Sequence, residues 1–531
     1  MSAAGALGKG EFVKVAPAGE RQSRAPSDER RDVTEHGLRR VLIVLGVMAA
    51  ALMQTLDSTI TNVALPTIQG NLGASQDEGT WIVTAYTIAA IVIIPLTPWL
   101  QNRFGRKNYF VASIAGFTLA SVVCGASDNL DLLIAARVVQ GAFGGGLLAT
   151  AQAILRDTFP PEQLGTSQGI FALGAIMGPA LGPPLGGILV DNYSWNWAFD
   201  INIVPGLFSG ILLFALLKDP NLAHHGRVDF VGLALLACGL GSMQYVLTEG
   251  EQNYWFADPV ISAMTAIMVV SLALFCYWEL YRTDVPVVDL RVLRNRSVAA
   301  GSALGLALGA AIFGSTYTLP QFTQGSLGFT PTLSGMLFIL RAVPIMIATP
   351  FVVRLGPKID PRVFLGSGFL LIAVGSWLQA LVTTTETDFW SFALALILTG
   401  IGASLLFVPL SIAVLGATTP SEGPKAGAFV NLATQLGGSI SVAGLAVLLD
   451  WRESFHSEVL GANATTARGV VAQFLQHGSQ LQLAELVDGQ AQVLSYADAA
   501  VAIAVISLAC VPLVLFMRRG AQTKTAVEFG G

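Results

Sequence analysis

Charged residues are scarce in this sequence. Asp, Glu, Lys and Arg make up 12% of the 531 residues, and 53% are hydrophobic, whereas soluble domains carry about 25% charged residues. This composition excludes an ordinary soluble protein and predicts an all-α polytopic membrane protein. The net charge of −5 indicates little, because in membrane proteins the positions of the charges matter more than their sum.

Cysteine is also rare. The four cysteines, Cys124, Cys238, Cys276 and Cys510, all fall inside apolar runs, where we expect buried small residues, not disulfide or metal partners. The sequence contains no nucleophile triad, no phosphate-binding loop and no basic aromatic patch. We therefore expect no enzyme activity, no cofactor, no metal and no nucleic-acid partner.

Fourteen apolar runs approach the roughly 20 residues that a helix needs to cross a bilayer. They lie at residues 41–63, 80–100, 109–126, 130–154, 165–190, 198–217, 229–248, 258–280, 298–319, 332–353, 363–382, 389–415, 426–449 and 494–517. Residues 1–40 are polar and contain no signal-peptide pattern. We expect them to form a disordered cytoplasmic tail.

Lys and Arg are unevenly distributed between the two sides of these spans. Of the 29, eight precede residue 41, seventeen lie in alternate loops or after the last span, and Arg452 and Arg468 lie on the opposite side. The last two, Arg137 and Arg341, fall within spans. The positive-inside rule therefore predicts a multi-pass protein of the inner (plasma) membrane with both termini in the cytoplasm.

A short basic pattern follows spans 2 and 10. Residues 103–107 and 354–358 both read Arg, apolar, Gly, any residue, Lys, which is either coincidence or an internal repeat. As a repeat it pairs spans 1–6 with spans 9–14. This divides the chain into a six-helix bundle at 41–217, two inserted spans with linkers at 218–296, a second bundle at 297–517 and a cytoplasmic tail at 518–531.

The one long external loop, 450–493, is polar with helical spacing of its apolar residues. It is interpreted either as a short surface helix pair or as a docking surface for a partner outside the membrane.

Asp57 follows sixteen residues without a formal charge. A carboxylate at membrane depth costs several kcal/mol unless it is paired, hydrated or protonated; the alternative is that it caps the end of the run. At the helical rise, Asp57 lies roughly 24 Å from the inner end of span 1, and Arg137 lies roughly 10 Å from the outer end of span 4. Both fall in the outer half of the membrane, so we predict a contact. It would be either a proton-dependent switch or a static ion pair that locks packing.

Glycine recurs in span 5 with a spacing of four residues, which predicts one continuous small-residue face for close helix packing. Three prolines in the same span remove amide donors and should bend the helix. The pattern is either a packing motif without mechanism or a seam about which the bundles rock. The motif comprises Gly174, Gly178, Pro179, Gly182, Pro183, Gly186 and Gly187.

Uncharged polar side chains and one further cation also lie at membrane depth. Each alone could be interhelical hydrogen-bonding; together they are candidate cavity residues, namely Gln54, Asn62, Gln140, Gln168, Tyr317, Gln321, Gln324 and Arg341. Arg341 must find a carboxylate, carbonyl groups, water or a ligand.

The segment 56–66, the run Arg137-Val138-Val139-Gln140-Gly141 and the Gly-Pro pairs of span 5 together resemble the major facilitator superfamily, and within it the 14-span drug:proton antiporters of the EmrB/QacA type. The resemblance covers about residues 40–518. It implies two six-helix bundles plus two extra spans and export of amphipathic small molecules driven by the proton gradient, with Asp57 exchanging the proton and Arg137 tuning it. It also implies a cytoplasmic gate formed by Arg103, Gly105, Arg106, Lys107, Arg354 and Lys358.

The resemblance further implies a lipid bilayer environment and, in two-membrane bacteria, a periplasmic adaptor of the EmrA kind with an outer-membrane channel. The sequence departs from the family pattern at Pro98, Asn102, Thr399 and Asp200, whereas Arg341 resembles a variant found in part of the subfamily. Asn102 stands where Asp is usual, so the latch in that loop is expected to be weaker. Asp200 stands where an apolar residue is usual and could share the proton. Arg341 is expected to bias the cavity toward anionic or polar substrates. The alternatives are an exporter of one endogenous metabolite, such as a siderophore or fatty acid, and a scaffold or sensor that has lost transport.

Overall fold

The computed structural model of the chain describes residues 35–160, 163–218, 229–250, 254–283, 286–356, 358–418, 422–464, 468–476 and 478–517. Both predicted tails therefore lie largely outside the described residues. Within these ranges the structure is helical and contains no strand.

Fourteen long helices follow one another along the chain, and each coincides with one predicted span. They are α1 Gly37–Leu72, α2 Gln76–Phe104, α3 Arg106–Gly125, α4 Leu130–Thr158 (interrupted by a turn at 145–146), α5 Leu164–Asn192, α6 Trp197–Leu216 (interrupted by a turn at 201–202), α7 Phe230–Glu249, α8 Pro259–Tyr281, α9 Arg296–Gln321, α10 Pro331–Leu355, α11 Pro361–Val382, α12 Ala393–Gly416, α13 Gly423–Asn463 and α14 Gln480–Leu513. Among the described residues, thirteen helical segments are long and apolar enough to cross a membrane. The fourteenth, α5, has 29 residues.

Local sequence explains several helix starts. Asp258, Thr330 and Asp360 each accept a backbone N–H of the following turn, and each is followed by proline at the first helical position. A polar cap followed by proline is a favoured helix start, because the cap satisfies a free N–H group and proline has none to satisfy. Gly105 joins α2 to α3 with φ +84°, a conformation that favours glycine.

The helices form two bundles with corresponding pairings. In the first half α1 packs against α4, α5 and α6, while α3 packs against α4 and α6; in the second half α9 packs against α12, α13 and α14, while α11 packs against α12 and α14. Helices whose numbers differ by eight, such as α1 and α9, therefore occupy equivalent places in the two bundles. The inserted helices α7 and α8 pack on each other, and α7 also contacts α2 and α13. The predicted fold class, two six-helix bundles plus two extra spans, is confirmed.

Two boundaries differ from the sequence prediction. Because α1 begins at Gly37, residues 37–40 are helical, and the prediction of a disordered tail up to residue 40 is wrong there. Glu35, just before this helix, forms an ion pair of 3.4 Å with Lys218, which follows the end of α6. The start of the chain's described part is thus tied to the first bundle.

The predicted external loop is mostly an extension of two spanning helices. α13 has 41 residues and α14 has 34, so α13 alone is about 60 Å long against a hydrocarbon core of about 30 Å. In and beside this extension the two helices are joined by a hydrogen bond of 2.7 Å from Ser457 to Asp488 and an ion pair of 2.6 Å between Arg452 and Asp498. We call residues 450–498 the external hairpin. The predicted spans 13 and 14 are shorter than α13 and α14, because hydropathy indicates where the chain leaves the apolar core of the membrane and not where the helix ends.

The cysteines are all free thiols. Cys124 and Cys510 are buried, whereas Cys238 on α7 and Cys276 on α8 are exposed. The expectation of burial is therefore wrong for the two cysteines of the inserted helices.

Candidate functional site

The Asp57 carboxylate lies inside the first bundle and is held by donors from two other helices. Its Oδ2 accepts a hydrogen bond of 2.6 Å from Arg137 Nη1, and its Oδ1 accepts bonds of 2.7 Å from Gln140 Nε2 and from Asn202 Nδ2. Asp57 and Arg137 are both 0% exposed. The predicted contact between these two residues is present. It joins α1, α4 and α6 through one carboxylate.

Arg137 has further partners that fix its orientation. Its Nε donates to the backbone oxygen of Ile82 at 3.0 Å, and its Nη1 also donates to Gln140 Oε1 at 2.7 Å. The guanidinium lies 4.2 Å from the centroid of the Tyr86 ring, a cation–π contact. Arg137 on α4 thus contacts Asp57 on α1, Ile82 and Tyr86 on α2 and, at 5.7 Å, the Phe199 ring of α6. A change in the charge of Asp57 would therefore alter the forces on four helices at once.

Ser121 and Asn202 complete the buried cluster. Ser121 Oγ accepts from Gln140 at 2.7 Å and from Asn202 at 3.2 Å. The Oδ1 atom of Asn202 is buried without a hydrogen-bond partner among the described residues. We call Asp57, Ser121, Arg137, Gln140 and Asn202 the carboxylate cluster. Removing one member of a buried ion pair such as Asp57–Arg137 lowers the stability of the fold by about 3–5 kcal/mol, because the other charge is left buried without a partner.

The sequence analysis did not assign Ser121 or Asn202 to this site and placed Gln140 in the substrate cavity. The structure instead buries Gln140 completely between Asp57, Arg137 and Ser121. The depth argument applied to Asp57 and Arg137 could have found Asn202, which lies about five residues into α6 from its outer end.

The glycine face of α5 packs against α1. A Cβ atom built on Gly174, Gly178 or Gly182 would overlap Met48, Thr55 or Thr59 of α1, and one on Gly186 would come within 3.2 Å of Ile60. The Thr59 hydroxyl also lies 3.4 Å from the Gly178 carbonyl oxygen. These glycines therefore let the two backbones approach closely. α5 is one continuous helix across Pro179, Pro183 and Pro184.

The opposite side of α5 contacts the second bundle. A Cβ on Gly187 would lie 2.5 Å from the Pro331 carbonyl oxygen of α10, and one on Gly335 would overlap the Pro183 carbonyl oxygen. At the same end Thr332 donates a backbone hydrogen bond of 3.1 Å to Asp191. Thus α5 lies between α1, which carries Asp57, and α10, which carries Arg341.

The two predicted gate turns differ in structure. Arg106 forms an ion pair with Asp157 at the C-terminal end of α4, and Lys107 Nζ lies 5.3 Å from the Phe214 ring centroid of α6. Arg103, Arg354 and Lys358 are exposed. The two glycines of the repeat also differ, since Gly105 has φ +84° and Gly356 has φ −49°.

Most of the predicted cavity glutamines lie between helices. Gln54 Oε1 accepts from the Leu148 backbone N–H at 3.2 Å, and Gln168 Oε1 accepts from Gln152 at 3.0 Å, so both link neighbouring helices of the first bundle. Asn62 on α1 and Gln321 at the end of α9 are exposed, and Gln324 is half-buried in the π-helical turn Phe322–Ser326. Tyr317 is half-buried against the core of the second bundle.

Arg341 lies in the second bundle at 7% exposure. Its Nη1 donates to Ser315 Oγ at 3.1 Å and its Nη2 donates to Thr316 Oγ1 at 3.0 Å, both on α9. The Phe338 ring centroid is 5.1 Å from the guanidinium carbon. The structure therefore places neutral partners around this cation.

The family model described as Major Facilitator Superfamily matches residues 47–317 and 302–458. Multidrug export protein EmrB of Escherichia coli (strain K12) is 34% identical over 422 residues, which cover 79% of this chain and 82% of that protein. Fatty acid resistance protein FarB of Neisseria gonorrhoeae is 31% identical over 457 residues, which cover 84% of this chain and 88% of that protein.

Among solved structures, the human organic anion transporter MFSD10 (TETRAN) resembles this chain with a TM-score of 0.59 at 16% identity. The match covers 90% of this chain and 100% of the other. At this identity the likeness concerns the fold alone.

Proposed function

Because the chain belongs to the major facilitator superfamily, and within it to the EmrB-type multidrug export proteins, we propose that it exports amphipathic small molecules across the inner membrane by proton-coupled alternating access. Membership makes it a multi-pass membrane transporter, in agreement with the expectation that it is not an enzyme. Proton coupling, the direction of transport and the cytoplasmic location of both termini are parts of the proposal.

The observation that carries the proposal is the carboxylate cluster. The buried Asp57 carboxylate accepts three hydrogen bonds from α4 and α6, so one ionisable group connects α1 to both of these helices. Protonation would remove the ionic attraction to Arg137 and convert one acceptor position of the carboxylate into an O–H donor. The proton would then compete with the protein donors for that oxygen, and α1 would be less firmly tied to α4 and α6.

The position of α5 offers a route from this event to a change of shape. α5 packs through its glycine face on α1 and through its other side on α10 of the second bundle. A helix without bulky side chains at both contacts can slide with little repacking. We propose that the bundles rock about α5, with the cytoplasmic turns at 103–107 and 354–358 closing the inner side.

Everted membrane vesicles with a fluorescent pH probe test the proposal. Addition of an amphipathic drug should cause a substrate-dependent pH response in the wild type and none in Asp57→Asn. Ser209→Ala is the matched control, since Ser209 Oγ donates a buried hydrogen bond of 2.7 Å to Gly46 on the same pair of helices without touching Asp57. An unchanged response in Asp57→Asn would exclude Asp57 as the coupling acid.

A second candidate is an exporter dedicated to one endogenous metabolite. The 31% identity to a protein named for fatty acid resistance favours it. Resistance of an expressing strain to several unrelated toxic compounds would count against this narrower function.

We further propose that the external hairpin docks a periplasmic adaptor of the EmrA kind, which would connect to an outer-membrane channel. Its helices enclose an apolar groove lined by Leu460, Val471, Leu486 and Val487. Replacing residues 458–487 by a short Gly-Ser linker would remove this groove and retain the Ser457–Asp488 contact. Co-purification of the adaptor with this variant would exclude the hairpin as the docking surface.

A further inference from the structure

The two arginines buried within spanning helices have different partners. Arg137 in the first bundle is paired with a carboxylate at 2.6 Å. Arg341 in the second bundle has the hydroxyls of Ser315 and Thr316 and the Phe338 ring. Among the described residues, none of the ion pairs involves Arg341.

A guanidinium in this position retains unused capacity to bind. It has five N–H donors in a planar fork, and the two hydroxyls accept two of them. A neutral hydroxyl stabilises the charge less than a carboxylate does, and an unpaired cation at membrane depth is expensive. An anion that reaches the remaining donors would therefore gain more here than at Arg137, whose charge is already paired with Asp57 through Nη1.

The depth of Arg341 fits a substrate site. It is ten residues beyond Pro331, the first residue of α10, hence about 15 Å from the outer end, near the middle of a hydrocarbon core of about 30 Å. Transporters with two related halves bind their substrates near this level. Phe338, one turn away on the same helix, places an apolar ring beside the charge.

We propose that Arg341 binds the anionic group of the exported molecule, so that the protein selects amphipathic organic anions, of which a carboxylate on an apolar chain is the simplest. This inference rests on the proposed export function and names its substrate class. The competing role is a structural tie between α9 and α10, in which Arg341 would not distinguish anions from other amphiphiles.

Binding of a matched ten-carbon series to the full-length protein in phosphatidylcholine nanodiscs separates these roles. Decanoate, decanol and decyltrimethylammonium share the chain and differ in the charge of the head group. The wild type should bind decanoate at least about tenfold more tightly than decanol, as expected for a charge-assisted contact. This comparison needs no variant, and equal affinities would overturn the proposal.

Two variants assign any preference to Arg341. Arg341→Gln should weaken decanoate binding about tenfold or more and change decanol binding less than about twofold; Arg341→Lys should keep part of the preference, since it retains the charge without the fork. Arg362→Gln, at the cytoplasmic start of α11, is the control and should bind like the wild type. Equal loss of all three ligands in Arg341→Gln would indicate the structural role and overturn the proposal.

Two further arms identify the anion and separate this inference from the export function. Displacement of decanoate by added phosphatidylglycerol would identify a lipid head group as the occupant and contradict a substrate site. If everted vesicles show no proton-linked transport while the decanoate preference depends on Arg341, the export function fails and the anion site is supported. If transport occurs without that preference, the anion site alone is overturned.

Discussion

Asn202 on α6 donates a hydrogen bond of 2.7 Å to Oδ1 of Asp57 on α1, across 145 positions of sequence. The same oxygen accepts from Gln140, so the ion pair with Arg137 uses only one side of the carboxylate. Asn202 therefore ties the charge state of Asp57 to the position of α6, independently of Arg137.

We expect Asn202→Leu to destabilise the protein by about 1.5–3 kcal/mol, because it removes a hydrogen bond to a buried charged group. Much of this cost should disappear in the Asp57→Asn background, giving a coupling energy of about 1 kcal/mol or more in a double-mutant cycle. The free energy of unfolding by SDS titration measures both. Ser209→Ala, which acts on the same pair of helices, should show no coupling to Asp57→Asn. Additive effects of Asn202 and Asp57 would contradict a functional link between them.

Asp57→Asn should abolish net export driven by a proton gradient, yet substrate exchange without a gradient should remain within a few fold of the wild type. Asparagine preserves the volume and can still hydrogen-bond, but it cannot release a proton. Counterflow and gradient-driven efflux in proteoliposomes measure the two activities separately.

Asp200→Asn in the same assays asks whether a second acid shares the proton. Asp200 lies at the outer end of α6, half-buried beside Gly125, and has no contact with Arg137 among the hydrogen bonds and ion pairs found in the described residues. We expect it to retain gradient-driven export at more than half of the wild-type rate. Complete loss of gradient-driven export in Asp200→Asn would show that Asp57 does not carry the proton alone.

The sequence predicted the depth of polar groups better than their partners. Charge and helical rise placed Asp57 and Arg137 at one level, and the structure brings them together. The same arithmetic did not assign Gln140 and Asn202, because depth along a helix leaves its rotation about the axis undetermined. Polar amides are also common between membrane helices, so their presence alone did not mark a site.

The glycine spacing of α5 likewise predicted a close contact without its partner. That Gly182 faces Thr59 while Gly187 faces Pro331 depends on how α5 is placed between the two bundles, which is a tertiary property. The length of α13 was underestimated for a different reason. Its helix continues through a polar segment to Asn463, where no change of hydropathy marks a helix end.

Gly182→Ala should greatly reduce export, because the added methyl group would overlap the Thr59 hydroxyl and come within 3.0 Å of its Cβ. Overpacking of this kind costs about 1–3 kcal/mol. Thr59→Ala in the same chain removes the hydroxyl and should restore part of the activity. Gly366→Ala on α11 has open space around the new methyl group and should export normally. Drug resistance and efflux rates, normalised to the amount of protein in the membrane, measure these effects. Equal activity of Gly182→Ala and Gly366→Ala would contradict a functional close contact between α5 and α1.

The turn between α2 and α3 provides a last test. Arg106 pairs with Asp157, so the turn is attached to α4, the helix that also carries Arg137 and Gln140. Both side chains are more than a fifth exposed (22% and 28%), so the pair should contribute less than about 1 kcal/mol to stability. A larger effect on transport than on stability would mean that the pair acts on the conformational equilibrium.

We expect Arg106→Asp and Asp157→Arg each to lower the efflux rate severalfold, and the double exchange to recover most of it, with melting temperatures nearly unchanged. Arg354→Asp, on the exposed turn of the second bundle, is the matched charge reversal and should not be rescued by Asp157→Arg. Failure of the double exchange would show that the position of each charge, and not their attraction, matters for the gate.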